Sequence, residues 1–448
     1  MENTHSNEDV MVLDAQTLKD LEIFEAETDG TSLFDLCDFT RNLQGARALK
    51  NRMQRPWSNP DRIRNVQDSL LFIQENRKAF NNLPTFVTTE LVENYFTRSL
   101  PLITSSNIIE FLYHLLEIRF GDYGRYTWIQ RGIGATASLI HKLRSIVESP
   151  EFASPQGELA TYITEMRTLL DRPSLEAVSD EESWSLGPWK ILKTDQIFRL
   201  YEKQTMVRLM QLTYEIDALV SMADATYKHG FIMPEIASGP LSIQAEGVVH
   251  PLIKDGIANP AALNQERRLL FLTGPNMAGK TTYLRACAIA IYLGHLGMGV
   301  PATSFSFVPA QRLFSSITLA DNLRMGVSFF RAEGLRVKAI AQAVADGYSV
   351  IALMDEPFKG TNVKDALDAS RTIMESFANK EGCLFMFSSH LIELCDQMSA
   401  IDKIDCRHFE ANEYEGRLRF DFLLQPGVSS QRLGMRVLAE EGIFELLK

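Results

Sequence analysis

Apolar positions along this chain change their period twice. From residue 12 to about 80 they fall in short helical groups broken by turns. Asp29-Gly30 marks one turn, and Ser32 stands where it can cap the apolar segment after it. A helix is expected from about Leu43 to Met53. From about residue 100 to 227 the helical period continues with few Gly or Pro breaks. Ile108, Leu112 and Leu115 share one expected face, as do Leu139, Leu143 and Ile146 before the stop at Pro150. A polar break from Ser179 to Pro188 follows, with Trp184 and Trp189 beside it as expected partly buried packing residues. The last helix, roughly Thr194 to Tyr227, repeats Leu209, Leu212, Ile216, Leu219 and Ala223 at 3-4-3-4 spacing, as in a helix packed lengthwise on others. At ~30 residues it would run about 45 Å.

Gly230 begins a different texture. Leu241-Ser242-Ile243 and Gly247-Val248-Val249 are short β-prone runs. Strand-like and helical segments then alternate to about Ser399. That alternation predicts a mostly parallel α/β sheet. The pattern thus predicts a multidomain α and α/β protein whose all-helical part gives way to the α/β part near residue 230.

Composition narrows this picture. A chain of 448 residues exceeds one core and suggests two or three domains. With 45% hydrophobic and 23% charged residues it has the balance of a soluble globular protein. No apolar run reaches ~18 residues, so no membrane span is expected. The polar, acidic start from Met1 to Asp9 is unlike a signal peptide. Five scattered cysteines suggest free thiols in a reducing compartment, and a cytoplasmic location is expected. Cys395, Cys406 and His408 lack zinc-ligand spacing. A net charge of −12 means that any nucleic-acid contact must come from a local patch. The basic candidate is Arg47, Lys50, Arg52, Arg55, Arg62 and Arg64, for which a solvated helix face is the commoner explanation and a phosphate-contacting patch the sharper one.

Candidate chemistry gathers at three apolar runs. Leu269 to Leu272 leads into Thr273-Gly274-Pro275-Asn276-Met277-Ala278-Gly279-Lys280-Thr281-Thr282, and a helical segment follows. Strand, GxxxxGKT and helix in that order are the context of a phosphate-binding loop. Its N–H groups and the positive helix end suit a triphosphate. Lys280 is expected to reach the β- and γ-phosphates and Thr281 to ligate Mg²⁺. Val350 to Met354 reads as a buried parallel strand ending in Asp355-Glu356, where Asp355 would hold Mg²⁺ and Glu356 would polarise the attacking water. Cys383 to Phe387 ends in Ser388-Ser389-His390, which points His390 at the nucleotide.

These residues resemble the ATPase domain of the MutS family of DNA mismatch-repair proteins, a branch of the ABC-type ATPases. Thr273 to Arg285 is similar to that family's TGPNMxGKSTxxR loop. Asp321 to Glu333 is similar to DDLxxGxSTFxxE, Asp355 to Asp365 to DExGRGTSTxDG, and Ser389-His390 to its TH pair. Leu13 to Glu22 resembles LDxxTxxNLE, and Ser32 through Gly45, Arg47 and Pro56 follows SLxxxLDxTxxxxGxRxLxxxxxxP. The resemblance implies a helical core segment at 1–98, a core and lever with a long connecting helix at 99–229, and an ABC-type ATPase domain at 230–448. It implies ATP and Mg²⁺, and a homodimer through the ATPase domains. In that dimer Ser328, on its Gly326 loop, would reach the nucleotide of the other subunit. ATP then acts as a switch, passed along the long helix to DNA or to a repair-protein partner.

The departures shape the expectation. Gly256, just before Ile257, stands where the family stacks an aromatic ring on adenine, leaving Ile257 as the expected base contact. Val327 and Phe329 flank Ser328 in place of Arg and Thr, and Lys359 stands for an Arg. A short form is expected, without the mismatch-recognition domain and most of the clamp. Two functions follow: an ATP-dependent DNA-binding, DNA-repair ATPase, a nucleotide-switched dimer acting on DNA structure or a repair partner, or a nucleotide-gated protein-interaction module that never touches DNA.

Overall fold

The computed structural model describes residues 9–26, 30–98, 102–104, 107–176, 186–318, 329–414, 417–429, 431, 436, 438 and 446. Asp29, Ser179, Trp184, Gly326, Val327 and Ser328 lie outside them. Two compact units interleave along the chain: Met1–Cys37 with Met53–Arg64 and Thr226–Lys448, and Asp38–Arg52 with Asn65–Ala225. The three consecutive segments read from the sequence follow the order of textures; the compact units cut across that order.

The first unit is built on a seven-stranded sheet. Its strands lie in the order Val12–Leu13, Arg312–Ser316, Val350–Asp355, Leu384–Ser388, Leu269–Thr273, Ile404–His408 and Gln425–Pro426, and only the last pairs antiparallel. The expected apolar runs are its central strands. Every residue of Leu269–Thr273 and Leu384–Ser388 is buried, as the strands of a sheet covered on both faces require. Asp355 pairs with Ser388, and Leu272 with the same Ser388, so the carboxyl ends of three adjacent strands finish level. A separate four-stranded sheet holds Glu235–Ile236, Ser304–Phe307, Ile243–Val248 and Asn259–Leu263. The two β-prone runs expected at 241–243 and 247–249 are one strand there. Its register shifts between Ala245 and Val248, beside Gly247 at φ +67°.

The N-terminus joins this unit as a sheet edge, not as a helix. Val12–Leu13 pairs parallel with Arg312–Leu313, and Asp14 then caps the short helix Ala15–Asp20. Buried Asp20 accepts the N–H groups of Ile317 (2.7 Å) and Thr318 (3.1 Å), finishing the adjacent strand. Glu22 pairs with Arg285 of the helix Lys280–His295 at 2.9 Å. Ser32 caps the next helix, Leu33–Cys37, by accepting from the Asp35 N–H at 3.1 Å while its hydroxyl donates to the Asp35 carboxylate at 2.6 Å.

The second unit is helical among its described residues. The helix Leu43–Met53 starts in it where expected. The long helix is shorter than its periodicity suggested. Lys203–Lys228, 26 residues and about 39 Å, is separated from Pro188–Gln196 by a π-helical stretch at Ile197–Tyr201. Glu202, next in line, accepts the Thr205 hydroxyl on its carboxylate (2.7 Å) and the Met206 N–H on its carbonyl (2.9 Å). The stripe Leu209, Leu212, Ile216, Leu219 and Ala223 is buried as expected, and so are Leu139, Leu143 and Ile146. The face expected of Ile108, Leu112 and Leu115 is corrected. Ile108 is 70% exposed, and the buried positions are Phe111, Leu115 and Ile118, with Phe111 edge-on to Trp189 at 4.6 Å. Within this unit Arg52 is compensated by Glu158 and Glu215, each at 2.9 Å, which removes it from the candidate basic patch.

Asp217 ties the long helix to the start of Leu43–Met53. It accepts from the Arg41 N–H and from Asn42 Nδ2, both at 2.9 Å, and a Cβ at Gly45 would fall 2.2 Å from its Oδ2. Burial, with Asp38 adding to it, pushes the Asp217 carboxyl up to about 6 against the hydrogen bonds from Arg41 and Asn42. A raised acid favours the folded state below its unfolded pKa, and that advantage fades as pH rises through the folded value. Stability should therefore fall between about pH 4 and 6 by up to about 3 kcal/mol from this group. Denaturant melts should show that slope flattened in Asp217→Asn; parallel curves for the two proteins would exclude the assignment.

Among the described residues no helix is long and apolar enough to cross a membrane.

Candidate functional site

The glycines of the loop after Leu269–Thr273 are set by backbone geometry. Gly274 has φ +138°, and a Cβ there would come 2.6 Å from the Phe409 carbonyl oxygen on the neighbouring strand connection. Gly279, at φ +101°, occupies the position before the helix Lys280–His295. The first N–H groups of that helix have no partner within it, and its positive end faces the loop. Between the two glycines, Met277 also takes a left-handed φ of +69° and is 74% exposed, while Ala278 is buried and donates its N–H to Pro275 O at 3.3 Å.

The ends of Leu269–Thr273 and Val350–Asp355 open into one cleft of about 660 Å³. Asn276, Met277, Gly279, Lys280, Thr281 and Thr282 line it from the loop, Asp355 and Glu356 from the next strand end but one, and Gly256 and Ile257 from the smaller sheet's entry. Lys280 is almost wholly buried. Its Nζ donates to Gly274 O (2.7 Å) and Pro275 O (3.1 Å) and stands 3.3 Å from Glu356 Oε1. The Thr281 hydroxyl donates to Asp355 Oδ2 at 2.6 Å, and the Ser388 hydroxyl bonds the other oxygen of Asp355.

Glu356 collects two lysines and a histidine. Besides Lys280, Lys359 Nζ lies 2.7 Å and His390 Nδ1 3.5 Å from its Oε2. Burial disfavours its charge, but the bonds from His390 and Lys359 and the Lys280 field hold the carboxyl far below the usual range. Its backbone sits at φ +47° with the N–H donated to Ser388 O at 3.0 Å. The structure thus brings together Lys280, Thr281, Asp355, Glu356 and His390. It places Ile257, 45% exposed, on the cleft wall; Ser328 lies outside the described residues.

Motif reading missed several neighbours. Phe422 lines the cleft across the loop, with its Cδ1 3.1 Å from where a Gly279 Cβ would stand. Asn259 fixes that segment, giving its Nδ2 to Phe422 O (2.9 Å) and accepting the Leu424 N–H (2.7 Å). Nothing local marks Phe422, which is brought in by the hairpin Ala411–Tyr414 and Arg417–Phe420. Lys359 was noted only as a departure, and its contact with Glu356 is tertiary.

This fold and cleft define a parallel α/β domain with a phosphate-type loop, an acidic strand end and a buried lysine at the carboxyl ends of its central strands. Residues 270–445 match the family model of MutS domain V, which supports membership of the MutS family. Members of the MutS family are DNA-binding ATPases of mismatch repair.

Proposed function

We propose that this chain is an ATPase in which nucleotide acts as a switch. The reading is carried by one observation: Lys280, the Thr281–Asp355 pair and Glu356 meet in one cleft at the ends of parallel strands. The loop 274–282 and Lys280 hold the triphosphate, with the base against Ile257 and Phe422. A hydroxyl and a carboxylate in mutual contact form an oxygen donor set suited to Mg²⁺, so Thr281 and Asp355 are its ligands. When bound, the ion neutralises phosphate charge. Glu356 is held ionised, and so weakly basic, which suits orienting water more than removing its proton early. His390, within reach of Glu356, keeps that carboxylate in place and borders the γ-phosphate.

The same reading makes the chain a cytoplasmic homodimer, divided as 1–98, 99–229 and 230–448, whose ATPase domains complete each other's sites through Ser328. The switch acts on DNA structure. A second reading, a nucleotide-gated module for a protein partner, is favoured by the net charge of −12 and by the compensation of Arg52. Binding to plain, mismatched and branched duplexes across a salt series, with and without ATP, separates the two. The first reading expects log affinity to fall linearly with log salt, by roughly 0.9 per phosphate contact. Absence of binding to every duplex at low salt, in each nucleotide state, leaves the second.

A further inference from the structure

We infer that Glu333 is a positioning residue for Glu356, acting through the turn that follows it; the inference rests on the ATPase reading above. Glu356 and Phe358 both hold left-handed backbone, φ +47° and +70°, a conformation that residues with a Cβ adopt only when the surroundings impose it. The turn therefore needs an outside anchor. Phe358 is buried and packs against Phe330, ring centres 5.9 Å apart. Three residues on from Phe330, on the same helix Phe329–Ala345, Glu333 is buried and accepts the Lys359 N–H on its Oε1 at 3.2 Å.

The other oxygen, Oε2, is buried and has no hydrogen-bond partner among the described residues. Burial raises the acid's pKa, and the N–H groups of Lys359, Gly360 and Phe358 work against that rise, so the carboxylate faces the whole turn. A carboxylate kept in so poor a solvent is costly to hold, and what it touches here is the backbone of the turn that carries both Glu356 and Lys359. One turn further along the helix, Arg336 Nε bonds Ser315 O at 3.1 Å and Nη2 bonds the Thr17 hydroxyl at 2.9 Å. The helix is thereby pinned to the sheet edge, and Glu333 is a fixed post against which the turn is held.

The geometry assigns Glu333 an effect on turnover and not on nucleotide affinity, because its contacts are with the turn and not with the loop 274–282. Steady-state hydrolysis and nucleotide binding by the full chain test this with Glu333→Ala, Glu333→Gln, Glu333→Asp and, as reference, Glu356→Gln. Expected are a kcat lowered about tenfold or more in Glu333→Ala, as for a misplaced reacting group, with KM for ATP within about twofold. Glu333→Gln, whose amide oxygen still accepts the Lys359 N–H, should recover most of that loss. Glu333→Asp keeps the charge but withdraws the oxygen, and should behave like Ala. If Glu333→Ala fails to fold, the Gln and Asp pair still decides. Wild-type kcat in Glu333→Asp with Glu356→Gln inactive overturns the inference alone. Equal losses of kcat, affinity and thermal midpoint in all three variants overturn it too, as a merely structural role. Wild-type hydrolysis by Glu356→Gln removes the reading beneath it.

Discussion

Glu356→Gln should lower ATP turnover about a hundredfold or more while leaving nucleotide binding intact, the range of loss expected when a group acting on the attacking water is removed. The amide is nearly the same size, so the turn at φ +47° and its N–H bond to Ser388 need not move. What changes is charge. Lys280, Lys359 and His390 now meet a neutral group, and a triphosphate arriving at the cleft no longer competes with a carboxylate for Lys280 at 3.3 Å. Affinity should hold or tighten for that reason. Single-turnover hydrolysis beside equilibrium nucleotide binding gives both quantities. Hydrolysis at the wild-type rate would remove Glu356 from the reaction. A parallel loss of binding would show instead that its ion pairs hold the loop together. The acid side of the pH profile carries a second signature: a carboxyl held far below its usual range stays charged throughout the working range, so Glu356 itself should add no acidic limb.

The strands under this site were legible because both faces of the sheet are covered. Leu269–Thr273, Val350–Asp355 and Leu384–Ser388 therefore read as unbroken apolar runs. The loop was legible for a different reason, since Gly274 and Gly279 stand where φ is positive. Local pattern gave out where its signal is degenerate. Ile108–Leu116 carries a broad apolar face that holds both Ile108 and Phe111, opposite Glu110, Tyr113 and His114, so period alone could not choose which side of it is buried. The π-helical stretch at Ile197–Tyr201 barely disturbs an apolar repeat, and the helix seemed continuous through it. Val12–Leu13 is a two-residue strand whose partner lies 300 positions away. Phe422, Lys359 and Glu333 reach Gly279 or the Glu356 turn only through tertiary folding, which no local pattern records.

Lys280→Ala and Ser328→Ala should each be nearly inactive alone, and active when mixed. Lys280 is the buried cation of the loop, bonded to two of its carbonyls and facing Glu356. Its loss leaves that carboxylate and the helix end without the charge that a triphosphate needs, and binding should weaken about a hundredfold, the scale of losing a charge-assisted bond from a buried site. Ser328 plays no part in that loop, so Ser328→Ala should bind nucleotide normally and fail only in turnover. If sites are completed across a dimer, a mixed pair keeps one whole site: the Ser328→Ala chain supplies Lys280, and the Lys280→Ala chain supplies Ser328. Random exchange makes roughly half of the dimers mixed, each with one working site, so an equimolar mixture should regain about a quarter of wild-type turnover. Recovery must also depend on total protein concentration, because it depends on pairing. A mixture no more active than the average of its parts, at concentrations where the chains associate, would mean that each chain hydrolyses ATP with its own residues. The proposed switch would then have to work within one subunit, and the altered residues flanking Ser328 would mark a surface no longer used by a partner.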